Sequence, residues 1–253
     1  MEERKLYRYR KPETHNINAF CNDAIEGSLY SAFEDQGELN FCIDHESLSN
    51  YGIPVEASNG FLRAIRNNCL SNYFMACFSE TDPFSNSYVR NKFAGLDGFC
   101  IVYSYESISN QIIREHFNYK RVEIKEVNYN DSPFDVCPIV EPLAKIVTEN
   151  ENLSDIEKDV LINNYLEDKE NSARLGKYVV DGFVHKKKKY HKEKEIRLIM
   201  QRNHLLHKGV EHPVIMIVKP IKVYISRTMD ADFQERIKNH AKVIGIPCYY
   251  LPA

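Results

Sequence analysis

A chain of 253 residues, 43% hydrophobic and 27% charged, can bury one large core and is not a disordered polymer. Its formal net charge of -3 argues against a dedicated duplex-binding surface and leaves room only for a local basic patch. No apolar run approaches the ~20 residues of a membrane span, and "MEERKLYRYRKPE" lacks a signal-peptide apolar region. The expectation is a cytoplasmic protein with no membrane contact.

In chain order, "LYRYR" (6–10) reads as a short strand rich in aromatics. "ETHNINAFCNDAIEG" reads as a helix capped by Thr14, striped by Ile17, Phe20, Cys21 and Ala24 and stopped at Gly27. "SLYSAF" suggests a second strand, residues 35–57 are loop-like, and "NGFLRAIRNNCL" has a helical stripe. "YFMACFSE" (73–80) and "GFCIVYSYE" (98–106) are apolar runs of strand length, separated by a polar, turn-rich segment. "SISNQIIREHF" fits a helix, and "YKRVEIKEVNY" alternates as a half-buried strand does. Residues 138–182 carry a helical pattern and read as an insertion. The tail returns to β at "PVIMIV" and "IKVYIS", with a helix at "ADFQERIKNHAKVI" and a last strand at "CYYL". The whole predicts one α+β domain over 1–253, a mixed or antiparallel sheet flanked by helices.

The stretch "YHKEKEIRLIM" (190–200) raises the functional question. As a strand over 193–199 it puts Glu193, Glu195 and Arg197 on one face and Ile196, Leu198 and Met200 on the other. As a helix it makes Glu193 and Arg197 an ordinary i,i+4 pair on a solvated surface. The lysine run "HKKKKYHK" (185–192) suits phosphate contacts or plain solvation. His204, His207 and His212 have no carboxylate at a recognisable spacing, so no metal is assigned. Seven cysteines, none in Cys-x-x-Cys spacing, read as reduced small hydrophobes. No glycine-rich phosphate loop or Gly-x-Ser-x-Gly is present, which removes support for P-loop kinases, Rossmann dehydrogenases and common serine hydrolases.

"LYRYR" (6–10), "LYS" (29–31), "ACFSE" (76–80), "DGFCIVY" (97–103) and "YHKEKEIRL" (190–198) occur in an order that resembles a bacterial domain family of unknown function. The chain departs from that family at "GELNF" (37–41), at "SNSYVRNKFAGLDG" (85–98) and at Tyr190 and Lys192, where tryptophan and tyrosine are usual. It is similar to a divergent member. A more distant resemblance, to ADP-ribosyltransferases, rests on Arg8, then Tyr30 with Ser31 or Ser79, then Glu193-Lys194-Glu195 in that order.

That resemblance implies an enzyme that uses NAD to modify a protein or nucleic acid acceptor, as a bacterial antiphage defence or toxin effector. Glu195 would be catalytic with Glu193 assisting, because a carboxylate at the ribose stabilises oxocarbenium character. Arg8, Tyr30, Ser31, Ser79 and Arg197 would line the NAD site, with Arg8 forking onto pyrophosphate and Tyr7, Tyr9 or Tyr30 stacking on nicotinamide. A shared cleft for Arg8 and Glu195 is the geometric requirement. Two alternatives stand beside it: a non-catalytic sensor that binds a nucleotide or phage component, and a metal-dependent nuclease-like effector.

Overall fold

The computed structural model describes residues 3–29, 41–115, 121–201 and 213–252. Tyr30, Ser31, His204, His207 and His212 lie outside them. The first elements are β1 (Lys5–Arg10), α1 (Thr14–Cys21), β2 (Ala24–Glu26) and β3 (Ser28–Leu29). β4 (Phe41–Cys42), α2 (His45–Ser49), α3 (Val55–Asn72) and β5 (Tyr73–Ser79) follow. Then come α4 (Ser87–Phe93), β6 (Phe99–Ser104), α5 (Tyr105–Glu115), β7 (Arg121–Glu126), β8 (Asn128–Tyr129) and β9 (Phe134–Asp135). Helices α6 (Cys137–Glu149), α7 (Asp155–Glu167) and α8 (Lys169–Phe183) come next. β10 (His185–Lys186) and a 3-10 turn (Lys188–Glu193) precede β11 (Glu195–Gln201) and β12 (Val214–Ile217). β13 (Lys222–Ile225), α9 (Ala231–Ile244) and β14 (Cys248–Tyr250) end the chain. The expected α+β class, a mixed sheet flanked by helices, is what these elements form. Among the described residues no helix is long and apolar enough to cross a membrane.

The chain divides into two compact units, Met1–Phe33 with Asn72–Val127 and Lys189–Ala253, and Glu34–Ser71 with Asn128–Lys188. The first unit holds a sheet of order β14-β13-β6-β1-β5-β11-β7, with β3 also paired to β5. Its pairings are antiparallel except β13 with β14. One face carries the main core: Leu6, Phe74, Phe78, Ile101, Tyr103, Ile196 and Leu198 pack with Ile17 and Phe20 of α1, Ile108 of α5 and Ile237 of α9. The other face carries a smaller cluster of Tyr7, Tyr9, Cys100, Val102 and Tyr224, covered in part by Val89 of α4.

In the second unit, β4 pairs with β9 and β8 with β10. Phe134 packs on Phe41 and Tyr178, with ring centroids 5.9 and 5.1 Å away. Ser154 and Glu157 close a reciprocal cap at the start of α7.

Within the stretch expected to be loop-like (35–57), α2 forms with Asp44 as its N-cap and α3 already begins at Val55; two further differences also have local reasons. α1 stops at Cys21, because Asp23 turns left-handed at φ 52° and Ala24 pairs with Ile217 in a strand. The turn-rich stretch before β6 contains α4, whose N-cap Asn86 accepts from the backbone N–H groups of Tyr88 and Val89.

Candidate functional site

β11 begins at Glu195, so the predicted 193–199 strand holds only in part. Glu193 ends the 3-10 turn, and Lys194 takes a left-handed φ of 42° that breaks the alternation between Glu193 and Glu195. The predicted faces hold within β11 itself: Ile196, Leu198 and Met200 enter the main core, and Glu195 and Arg197 point the other way.

Glu195 and Arg197 form a forked pair, with Arg197 Nε 2.8 Å from Glu195 Oε1 and Nη2 3.1 Å from Oε2. Both are buried. The Glu193 carboxylate is also buried and meets Lys92 Nζ at 2.7 Å. Ser79, opposite Glu195 in the sheet register, donates its hydroxyl to the Glu193 carbonyl at 2.5 Å and accepts from the Thr81 N–H. Ser79 thus lies beside Glu195 in the sheet and against the Glu193 backbone, and Arg197 is paired with Glu195. Each carboxylate already faces a cation.

Arg8 is not with them. Tyr7 pairs with Ser79, and Ser79 with Glu195, so these three share a face. Arg8 pairs with Ile101, a main-core residue, on the opposite face. The expected common cleft for Arg8 and Glu195 is overturned by the register, because alternate residues of β1 point to opposite sides. Tyr7 and Tyr9 are core residues, and the Tyr9 hydroxyl donates to the Thr81 carbonyl at 2.7 Å. Tyr30 and Ser31 fall outside the described residues.

What surrounds Arg8 was not anticipated. Register pairs join β1 to β5 at Tyr7–Ser79, while β3 joins β5 at Ser28–Met75 and Leu29–Phe74. The sheet forks there. Arg8 is 3% exposed, donates to the Glu26 carbonyl and the Tyr103 hydroxyl, and leaves its Nε without a partner. Arg10 lies two residues on, half-buried and on the same face. Among the described residues neither guanidinium has a carboxylate within ion-pair distance. Burial lowers both arginines, and Arg8 lowers Arg10 further, to about 9. Burial also pushes the Tyr103 hydroxyl up to about 12, against the pull of the two guanidinium groups. Oε2 of Glu26 is likewise buried without a partner.

A buried and a half-buried guanidinium about 7 Å apart along a strand repel one another and are costly to desolvate. An anion with two acceptor ends would satisfy both, since a guanidinium binds phosphate as a fork. Arg10 was legible from the alternation applied at 193–197, because Leu6, Arg8 and Arg10 share one face. Glu26 and Tyr103 reach the site only through tertiary pairing and gave no local signal. Among the described residues no three His, Cys, Asp or Glu side chains are grouped to hold a metal. Comparison with family models, with curated proteins and with solved structures returns no match. The resemblances drawn from sequence therefore rest on their quoted motifs alone.

Proposed function

We propose that this protein is a non-catalytic nucleotide-binding module whose anion subsite is formed by Arg8 and Arg10 at the fork between β1 and β5. One observation carries the reading: a buried guanidinium with an unpartnered Nε beside a second, half-buried guanidinium, neither in an ion pair among the described residues, with the Glu26 carboxylate as the nearby charge that partly offsets them. Burying unpaired charge is expensive enough that a resident anion is the economical explanation. A pyrophosphate offers two charged ends at a span that suits arginines at i and i+2. Tyr103 supplies a neutral hydroxyl donor beside them.

NAD is one candidate ligand, by the resemblance to ADP-ribosyltransferases. Transfer chemistry asks more, namely a carboxylate at the ribose of the same bound molecule. Glu195 is on the other face of the sheet and is held by Arg197, so the transferase reading lacks the geometry it requires. A role as a defence or toxin effector would come through sensing a nucleotide rather than consuming one.

Equilibrium titration with NAD, ADP-ribose and ATP tests the reading, run beside an assay for released nicotinamide. The expected result is saturable binding of at least one nucleotide and no nicotinamide release. Binding to none of the three would refute the module, and steady turnover of NAD would restore the enzyme.

A further inference from the structure

A second feature of the sheet-bearing unit lies away from the arginines and rests on none of the preceding proposal. On the face opposite Arg8, Phe84 is 58% exposed and Tyr249 51% exposed. Between them lies the buried Tyr224, whose ring centroid is 5.4 Å from that of Phe84 and 5.9 Å from that of Tyr249. Lys222 Nζ lies 5.5 Å from the centroids of both Tyr224 and Tyr249 and makes no ion pair among the described residues.

The same chain segment links this group to a second. Phe84 stands just before α4, and α4 ends at Lys92 and Phe93. Lys92 Nζ is 4.8 Å from the Tyr190 ring centroid, and Lys189 Nζ is 4.7 Å from it. The segment is held in place: Asp82 accepts from the Phe84 N–H, and the Asn86 amide donates to the Lys192 carbonyl at 3.1 Å. The seven residues of α4 span roughly 10 Å. Exposed rings thus lie at both ends of α4, Phe84 before it and Phe93 at its end, with Lys222 beside the first and Lys189 beside Tyr190 near the second, while Lys92 itself is held by Glu193.

We propose that this surface binds single-stranded nucleic acid. Bases have two apolar faces that stack on exposed aromatic rings, and the phosphates between them pair with lysines. Duplexes hide those faces, and an exposed ring such as Phe84 has nothing to stack on there. The overall charge of -3 fits a local patch better than a field spread over the whole molecule.

The test is fluorescence anisotropy with labelled oligo-dT and oligo-U of about a dozen nucleotides, a site size typical of such surfaces, and a duplex of equal length. Wild-type protein should bind both single strands at low salt and bind the duplex more weakly. Phe84→Ala and Tyr249→Ala should each weaken binding roughly 5- to 100-fold, the scale of losing one stacked base. Lys222→Gln should flatten the salt dependence by about 0.7 in log–log slope, the value for one single-strand phosphate contact. Lys158→Gln, which removes an equal charge from α7, should change nothing. Failure of wild type to bind single strands, preference for duplex, or unchanged affinity in both aromatic variants would overturn the proposal. Thermal melts of the variants keep a folding defect from passing as a binding defect.

Discussion

A guanidinium at Arg10 opposes folding for as long as it is charged and has no anion beside it. Burial, and Arg8 next, lower its folded-state pKa from the ordinary arginine value to about 9. Above about 9 the unfolded chain holds a proton there that the folded chain has released, so this group adds stability as pH rises. Below that point both states carry the charge, and the penalty is present in full. Arg10→Met should therefore raise the melting temperature at neutral pH, by roughly 2–8 °C, while removing any nucleotide-induced shift. The difference between variant and wild type should narrow as pH rises through about 9. A variant less stable than wild type at neutral pH would show that Arg10 is already neutralised. Stability gained where binding is lost is the expected mark of a functional residue.

At the scale of elements, β11 shows what local sequence reveals and what it does not. From Ile196 onward Ile196, Leu198 and Met200 recur at every second position and enter the main core, and the strand follows that pattern to Gln201 even though Ile199 makes the other face apolar as well. Before Ile196 the residues are charged or polar on every position, so nothing fixes a face, and a 3-10 turn forms instead. The relation between strands is harder still. Whether Arg8 and Glu195 share a face depends on the pairing of β1 to β5 and of β5 to β11, which no local pattern encodes. In β1 both faces are buried, so Tyr7 and Tyr9 could not be told from Leu6 and Arg8 as the inward set. The core strands β5 and β6 and helix α9, by contrast, were legible as apolar runs or as an amphipathic helix between Asp230 and Gly245. Within β11 the Glu195–Arg197 pair is structural. Glu195→Gln leaves a buried guanidinium without its forked carboxylate and should cost about 3 kcal/mol, or roughly 6–12 °C in melting temperature. Adding Arg197→Met should recover part of that loss. Full stability in Glu195→Gln would contradict a structural role and return the carboxylate to consideration as a reactive group.

For the whole molecule, the central claim is that ligand chemistry belongs to the Arg8 side of the sheet and not to the Glu195 side. Both faces of the eight-stranded sheet bury charged groups; among the described residues Glu195 and Glu193 are held in ion pairs on one face, while Arg8 on the other makes none. Binding of a nucleotide alone would not distinguish the faces. The most direct measurement follows the ¹⁵N Nε–Hε resonances of Arg8, Arg10 and Arg197 by NMR, each assigned by its Arg→Lys variant, during a titration with ADP-ribose. The Arg8 and Arg10 signals should move together and saturate, with the Arg197 signal unmoved. Movement of Arg197 while Arg8 and Arg10 stay fixed would put the ligand on the opposite face and contradict the account.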